Sequence, residues 1–469
     1  MGALQTSTPV IDLHIHSTMK PYGHSMYGNS DRMKFTDSAC VWFYDFRSRR
    51  DAAFENVMGI CRYRQSDFTS LTDGQVKIAC VSLYPVEKEF FDIRKGILKP
   101  FEVVLAELAS MFGKKRIAQV RDAGFSYFDD LNAEYEFLYC LNSKEVNSRS
   151  YRIIRTTGDI SGAANLYVIP TIEGCHAFAD GNDPREASAW ANIENNVATV
   201  KAWAAPPLFV TFAHHFYNGL CTHAKSLYEN SGKLLDQHYG MREAGKVYND
   251  GLAPLSATGL KLIGLLLSTI NGRRILIDVK HMSKEARTEY YNILNLQYPD
   301  VPVIWSHGAV AEDREEINMD LDTDVMMIYK TNGIIGIEMD QRILGYNRNR
   351  FWKSIKRIFR PRGKAYEDAG YFWNQIITIA EHAYKNGYQA DPWKCIALGS
   401  DYDGIINPLN SYPDALSLNV LYNHLIAHLD EYWEASAPTI PKEYQGFDSA
   451  DVIYRIMYKN ALDFIGKHL

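Results

Sequence analysis

Eight short apolar runs of strand length, separated by helix-like segments, constrain the fold of this chain more than any other feature. Several runs lack polar alternation, which is typical of strands buried on both faces of a parallel sheet. Eight such strands with helical connections predict an α/β protein, a (β/α)8 TIM barrel of the metal-dependent hydrolase type. The predicted strands are residues 10–14, 76–83, 166–172, 208–212, 275–279, 303–305, 334–337 and 396–398.

The length of the chain, 469 residues, would by itself suggest two or three domains. A TIM barrel, however, absorbs long insertions and remains one domain. Long stretches follow the first and second predicted strands, with helix-like patterns at 101–112 and 133–141 and no Pro/Gly/Ser-rich linker. We therefore expect one domain over residues 1–469, with helical insertions at about 20–75 and 87–160 and a further insertion at about 341–394.

Composition argues against several classes of partner. A net charge of −6 gives no reason to expect nucleic acid or an anionic membrane, and no apolar stretch is long enough for a membrane span. The first residues lack a secretory signal pattern, and the seven scattered cysteines form no Cys-x-x-Cys pair. These features favour a cytoplasmic protein with a small-molecule substrate, and they leave a homodimer open.

A basic segment lies at residues 341–364, with nine Lys or Arg, no Asp or Glu, and interleaved aromatic and Ile residues. Its favoured interpretation is a helix that packs on the barrel with its basic side in water. Two alternatives are a surface for membrane or nucleic acid and a positive rim that attracts an anionic substrate at the catalytic face.

Metal-binding and acid–base side chains follow most of the predicted strands. In barrel enzymes the carboxyl ends of the strands converge on one site. Each residue alone has an ordinary explanation, such as a solvated strand end, a core histidine or a helix N-cap. Their recurrence at successive strand ends instead predicts a shared site. The residues are His14 and His16 after strand one, Glu173 after strand three, His214 and His215 after strand four, His281 after strand five, His307 after strand six and Asp401 after strand eight.

The chemistry of these side chains indicates metal-assisted hydrolysis of an amide or related acyl bond. Four imidazoles and a bridging Glu173 carboxylate suit two divalent metal ions, and zinc favours such nitrogen and oxygen donors. Two ions lower the pKa of a shared water and polarise the carbonyl that it attacks. Asp401 is the candidate general base, and His214 is the candidate donor to the oxygen that gains charge.

Four motifs resemble those of the membrane (renal-type) dipeptidases, peptidase family M19, which are binuclear zinc enzymes of the amidohydrolase barrel superfamily. T-I-E-G-C-H at 171–176 is similar to the family's S-I-E-G-G-H. G-L-A-P at 251–254 and L-I-D-V-K-H-M-S at 276–283 are similar to G-L-T-P and I-D-L-S-H-V-S. P-V-I-W-S-H at 302–307 and G-S-D-Y-D-G at 399–404 are similar to P-V-I-F-S-H and G-S-D-F-D-G.

The resemblance implies a role for each site residue in a zinc-dependent dipeptidase. His16 departs from the family's usual His-x-Asp, and the Ala-His-His of strand four replaces Thr-His-Asn, so His215 shares the substrate-binding expectation with His214. The implied roles are one metal for His14 and His16, the other for His281 and His307, a bridge for Glu173, the catalytic water for Asp401, and substrate binding for His214, Asn218 and Arg314.

Other interpretations stay open. The opening residues 12–17 are close to those of histidinol-phosphatase-like (PHP) phosphoesterase barrels, and the basic segment would suit a phosphate. The E-G-x-H and G-S-D-x-D-G motifs have no role in that scheme. A lactonase, a deaminase or an N-acyl amino acid hydrolase is a further alternative. A catalytically silent binding barrel is disfavoured because it would have no need of Asp401.

Overall fold

The computed structural model describes residues 8–58, 61–91, 102–180, 187–224, 251–310, 316–345, 364–442 and 446–469. Within these residues, parallel strands form a sheet in the order β2-β1-β9-β8-β7-β6-β5-β4, and β2 pairs with β4 to close it into an eight-stranded barrel. The strands are β1 Val10–Ile15, β2 Val76–Leu83, β3 Tyr151–Ile153, β4 Leu166–Glu173, β5 Phe209–Thr211, β6 Leu276–Asp278, β7 Ile304–Gly308, β8 Ile334–Ile337 and β9 Ile396–Leu398.

The predicted TIM barrel is confirmed, and each predicted apolar run overlaps one barrel strand. β1, β4 and β9 are buried along their whole length, as expected for strands covered on both faces. The short strand β3 was not predicted. β3 pairs with the first three residues of β4, and β5 pairs with the last two.

Helices surround the barrel and fill the long connections. Three follow β1, and three more lie between β2 and β3, which agrees with the predicted helical insertions. The helices are Met19–His24, Arg49–Met58, Phe68–Asp73, Glu102–Ser110, Lys114–Val120, Tyr127–Tyr139, His176–Ala179, Ala187–Lys201, Ala257–Leu267, Lys284–Gln297, Met326–Lys330, Lys364–Lys385, Leu418–Glu434, Ser449–Tyr454 and Asn460–His468, with 3-10 turns at Lys88–Phe91, Thr157–Asp159 and Ala415–Ser417 and π-turns at Leu321–Val325 and Arg455–Lys459.

The two insertions contact each other through buried polar groups. Arg116 forms a bidentate ion pair with Asp130, and the Tyr22 hydroxyl, from the first insertion, donates to the same carboxylate at 3.1 Å. Glu134 accepts from the Thr18 hydroxyl at 2.6 Å and from the backbone N–H of Tyr84 at 2.9 Å. The second insertion is therefore tied both to the first and to the chain that leaves β2.

Most of the basic segment, residues 346–363, lies outside the described residues, so its three interpretations stay predictions. The helix Lys364–Lys385 begins at the last residue of the basic segment. Its side chains Asp368, Phe372 and Ile376 are buried. Among the helices that the structure describes, none combines the length and the apolar character that crossing a membrane requires.

Candidate metal centre

The structure brings His14, His16, Glu173, His281, His307 and Asp401 together at the carboxyl end of the barrel. His14 belongs to β1, Glu173 ends β4, and His307 belongs to β7. His16 directly follows β1, and His281 and Asp401 lie three residues after the ends of β6 and β9. Because parallel strands of a barrel end at the same face, side chains far apart in the sequence meet there.

Glu173 occupies the middle of this cluster. Its Oε2 lies 2.9 Å from Nε2 of His16, and its Oε1 lies 3.6–3.9 Å from the Nε2 atoms of four further histidines. The four are His14 at 3.7 Å, His214 at 3.6 Å, His281 at 3.6 Å and His307 at 3.9 Å. The two carboxylate oxygens thus face different imidazoles, as a bridging ligand requires.

One half of the cluster combines His14, His16 and Asp401. The Nε2 atoms of the two histidines are 3.1 Å apart, and Asp401 Oδ1 lies 3.7 Å from His14 Nε2 and 3.4 Å from His16 Nε2. All three residues are buried, with Asp401 8% exposed. Asp401 is therefore within reach both of a cation held by the histidines and of a molecule that enters from solvent.

The other half combines His281 and His307 with Glu173. The Nε2 atoms of His281 and His307 are 3.3 Å apart. The Ser306 hydroxyl donates to Asp278 Oδ2 at 2.6 Å and lies 2.8 Å from His307 Nδ1. Since that hydroxyl donates to Asp278, it accepts from His307 Nδ1–H, which leaves the His307 Nε2 lone pair directed at the cluster.

Two buried aspartates lie in strands next to these ligands, Asp12 within β1 and Asp278 at the end of β6. Asp12 Oδ1 accepts from the backbone N–H groups of His14 at 3.2 Å and Ser400 at 2.9 Å. Asp278 Oδ1 does the same for Lys280 at 3.1 Å and Ser306 at 3.0 Å. Each carboxylate thus clamps the end of its own strand to the neighbouring one, which fixes the backbone beneath the ligands.

The backbone at two of the site residues is strained. His281 has φ +68° and Asp401 has φ +58°, in the left-handed region that favours glycine. Such residues cost of the order of 1–3 kcal/mol each and cluster at functional sites. Gly174, with φ +98°, follows Glu173, and a Cβ there would lie 2.2 Å from the His176 ring.

Burial and mutual charge control protonation in the cluster. Burial lowers the pKa values of His14 and His307 well below the usual range, and it lowers the pKa of His281 to about 3. Burial opposes ionisation of Glu173, but nearby His214 and His16 outweigh it and hold the pKa of Glu173 well below its usual range. Neutral imidazoles around an ionised carboxylate are the forms that bind a divalent cation.

The pKa values of His16 and Asp401 are raised, unlike those of His14, His281 and His307. Burial works against a charged His16, but Glu173 and Asp401 outweigh it and raise the pKa of His16 to about 10. Burial raises the pKa of Asp401 to about 6, with His16 opposing the rise. The two carboxylates that favour a proton on His16 would also attract a metal cation to this point, and His16 would release its proton to bind that cation.

The donor set fits divalent metal ions. Within the described residues, three groups each place one donor atom per residue within 4.8 Å of the others, and all their members are buried. Adjacent groups share His14 or Glu173, as a two-ion centre would require. The groups are His14, His16 and Asp401; His14, Glu173 and His307; and Glu173, His214 and His281.

The predicted substrate-binding residues have different surroundings. His214 is buried in the cluster, and His215 lies beside it with its ring 5.1 Å from that of His281. The Asn218 amide donates to Phe212 O at 2.8 Å and accepts from Leu220 N–H at 2.9 Å, so it shapes the loop behind the histidines. Arg314 lies outside the described residues. Substrate binding by these residues stays a prediction.

Sequence reasoning missed the contribution of the chain after β2. Tyr84 and Glu87 contact His214, and neither belongs to the four motifs. The position of Glu87 shortly after a predicted strand was the available signal. The buried pair of Lys280 and Glu338, 3.3 Å apart, was also missed, although Lys280 lies two residues after β6 and Glu338 directly follows β8.

Comparisons with solved structures agree on the fold. A metallopeptidase from Rhodobacter sphaeroides, with a bound phosphinate mimic of the dipeptide L-Ala-D-Ala, matches with a TM-score of 0.54 and 13% identity over 99% of this chain and 100% of its own. A dipeptidase of peptidase family M19 matches with a TM-score of 0.53 and 12% identity over 98% of this chain and 99% of its own. A probable dipeptidase from Pseudomonas aeruginosa matches with a TM-score of 0.53 and 13% identity over 98% of this chain and 95% of its own.

Sequence comparison gives a family match over part of the chain. No curated protein sequence matches the chain. The model of the membrane dipeptidase family matches residues 217–436, a stretch that contains His281, His307 and Asp401. The same face of the barrel carries the candidate metal ligands that the geometry brings together. Residues 217–436 therefore resemble the membrane dipeptidase family, peptidase family M19, and the chain shares the barrel fold of the metallopeptidases described above.

Proposed function

We propose that the chain hydrolyses dipeptides with two divalent cations, zinc being the favoured ion. His14 and His16 would hold one ion, His281 and His307 the other, and Glu173 would bridge them. The observation that carries this proposal is the central position of Glu173, whose two oxygens face four imidazoles from three strand ends. Nitrogen and carboxylate donors suit zinc, and a shared carboxylate suits a pair of ions.

Bound cations would lower the pKa of an attacking water and polarise the scissile carbonyl. Asp401 is the candidate to take the proton of that water at Oδ1 and to deliver it to the leaving amine. His214 is the candidate to donate a hydrogen bond to the carbonyl oxygen as it gains charge. His215, Asn218 and Arg314 are the candidates to contact the rest of the dipeptide.

The surroundings of the chemistry are also proposals. We infer one domain over residues 1–469, because the insertions pack on each other and on β2. The scattered cysteines support a reducing compartment such as the cytoplasm. The substrate would be a small molecule, and a homodimer stays open.

A substrate panel tests the proposal. Purified protein is assayed with dipeptides, beginning with L-Ala-D-Ala, and with an N-acyl amino acid and a phosphomonoester, before and after chelation and with zinc restored. We expect dipeptide hydrolysis that chelation abolishes and zinc restores. Hydrolysis of the phosphoester alone would contradict the proposal, and so would dipeptide turnover that survives complete metal removal.

A further inference from the structure

The His214 ring is held from behind by two residues of the chain that leaves β2. Nδ1 of His214 lies 2.8 Å from Glu87 Oε1 and 3.1 Å from Glu87 Oε2. The Tyr84 hydroxyl lies 3.1 Å from the same nitrogen and donates a short hydrogen bond to Glu87 Oε2. All three residues are buried, at 6%, 4% and 3% exposure for His214, Glu87 and Tyr84.

This contact keeps a proton on Nδ1 of His214, and the adjacent Glu87 carboxylate favours the doubly protonated ring, in which Nε2–H can donate as well. An ionised carboxylate only accepts hydrogen bonds, so Nδ1 of His214 must donate to Glu87. Glu87 is ionised at neutral pH: burial opposes its charge, but His214 and His176 outweigh burial and lower the pKa of Glu87 to about 2. The imidazole ring of His214 therefore cannot flip without breaking a charge-assisted hydrogen bond.

The opposite edge of the ring points into the metal centre. Nε2 of His214 lies 3.6 Å from Glu173 Oε1, and the His214 ring lies 4.7 Å from that of His281. We propose that Glu87 is a positioning residue, which holds His214 by Nδ1–H and so aims Nε2 at the place beside Glu173 where the substrate carbonyl would lie. This inference rests on the proposed function, in which His214 contacts that carbonyl.

The turn that carries Tyr84 and Glu87 is itself anchored to the rest of the fold. Glu134, from the helix Tyr127–Tyr139, accepts from Tyr84 N–H at 2.9 Å and fixes the start of the turn that carries Glu87. Phe90, in the 3-10 turn Lys88–Phe91, packs its ring 6.2 Å from that of His214 and 5.2 Å from that of His215. The second insertion thus reaches the site through Tyr84 and Glu87, although it carries no candidate metal ligand.

Substitutions at Glu87 separate positioning from a merely structural role. Glu87→Ala and the bulkier Glu87→Leu remove the acceptor, and we expect kcat to fall about 10- to 100-fold, with KM and metal content unchanged. Glu87→Gln should restore most of kcat, because its amide oxygen accepts from Nδ1–H. Glu89→Ala, two residues along the same turn at a partly exposed position, is the matched control and should behave like the wild type.

Nitrogen-15 spectra of histidine-labelled, zinc-loaded protein give a readout that does not depend on turnover. We expect a protonated Nδ1 for His214, assigned with His214→Asn, and a change of that signal in Glu87→Leu but not in Glu89→Ala. Wild-type kcat in Glu87→Leu would overturn the inference, as would unchanged His214 signals or an activity loss that only follows lost metal. If the wild type hydrolyses no dipeptide, the proposed function fails and the spectra still decide the role of Glu87.

Discussion

Two aspartates of one short motif have different environments. Asp401 lies against His16 in the metal centre, whereas Asp403 accepts from Lys20 Nζ at 2.8 Å, from Ser66 N–H at 2.9 Å and from the Ser66 hydroxyl at 2.7 Å. Both residues have a positive φ, and the turn directs their side chains to different partners. Asp401 faces the site, and Asp403 ties the first insertion to the end of β9.

The substitution Asp401→Asn removes a proton acceptor and keeps the shape of the side chain. We expect kcat to fall about 10²- to 10⁴-fold, the range for a lost general acid–base group, while histidine-bound metal is retained. Steady-state kinetics and metal analysis of the same preparation measure both quantities. Unchanged turnover would remove Asp401 from the mechanism.

Asp403→Asn is the neighbouring comparison. It leaves the buried Lys20 ammonium without its carboxylate, and breaking a buried ion pair costs about 3–5 kcal/mol. We expect a lower free energy of unfolding in urea, while the folded fraction keeps its turnover. A variant with wild-type stability would show that this ion pair does not hold the insertion.

At the scale of elements, the two insertions act as a support for the site. Their contact is buried and polar, because Arg116 is 1% exposed and Asp130 is 3% exposed. The Arg116 guanidinium also lies over the Tyr22 ring, 4.7 Å from the ring centroid. The helix Tyr127–Tyr139, which carries Asp130, also carries Glu134. Glu134 contacts Tyr84, which belongs to the turn behind His214.

Arg116→Met tests this support. The change leaves Asp130 buried without its cation, and we expect the free energy of unfolding to fall by about 3–5 kcal/mol. Arg116→Met combined with Asp130→Asn should recover much of the loss, because no unpaired charge remains. Lys114→Met, at an exposed position of the same helix, is the control, with an expected change within about 0.5 kcal/mol. Equal effects at Arg116 and Lys114 would contradict the support.

How far the sequence predicts each element depends on its physical signal. β1 and β4 are long enough, and buried enough on both faces, to appear as apolar runs. β3 spans three residues and includes the partly exposed Arg152, so no pattern distinguishes it from a loop. Its pairing with β4 is a tertiary contact, which periodicity does not encode.

For the whole molecule, barrel closure explains why the clustering of the strand-end side chains could be predicted and the contacts that support them could not. Closure brings every strand end to one face, so the side chains that follow the strands meet there whatever their separation in sequence. Glu87 lies four residues beyond β2, and only the three-dimensional path of that turn brings it to His214. His16 illustrates the same limit, because its charge depends on carboxylates from β4 and from the loop after β9.

The measurement that tests the central claim most directly is anomalous X-ray diffraction at the zinc absorption edge, from crystals grown with zinc and without chelator. We predict two anomalous peaks at the carboxyl end of the barrel, one on each side of Glu173. One peak should contact His14 and His16, and the other should contact His281 and His307. An empty centre, or metal bound only elsewhere on the protein, would contradict the account.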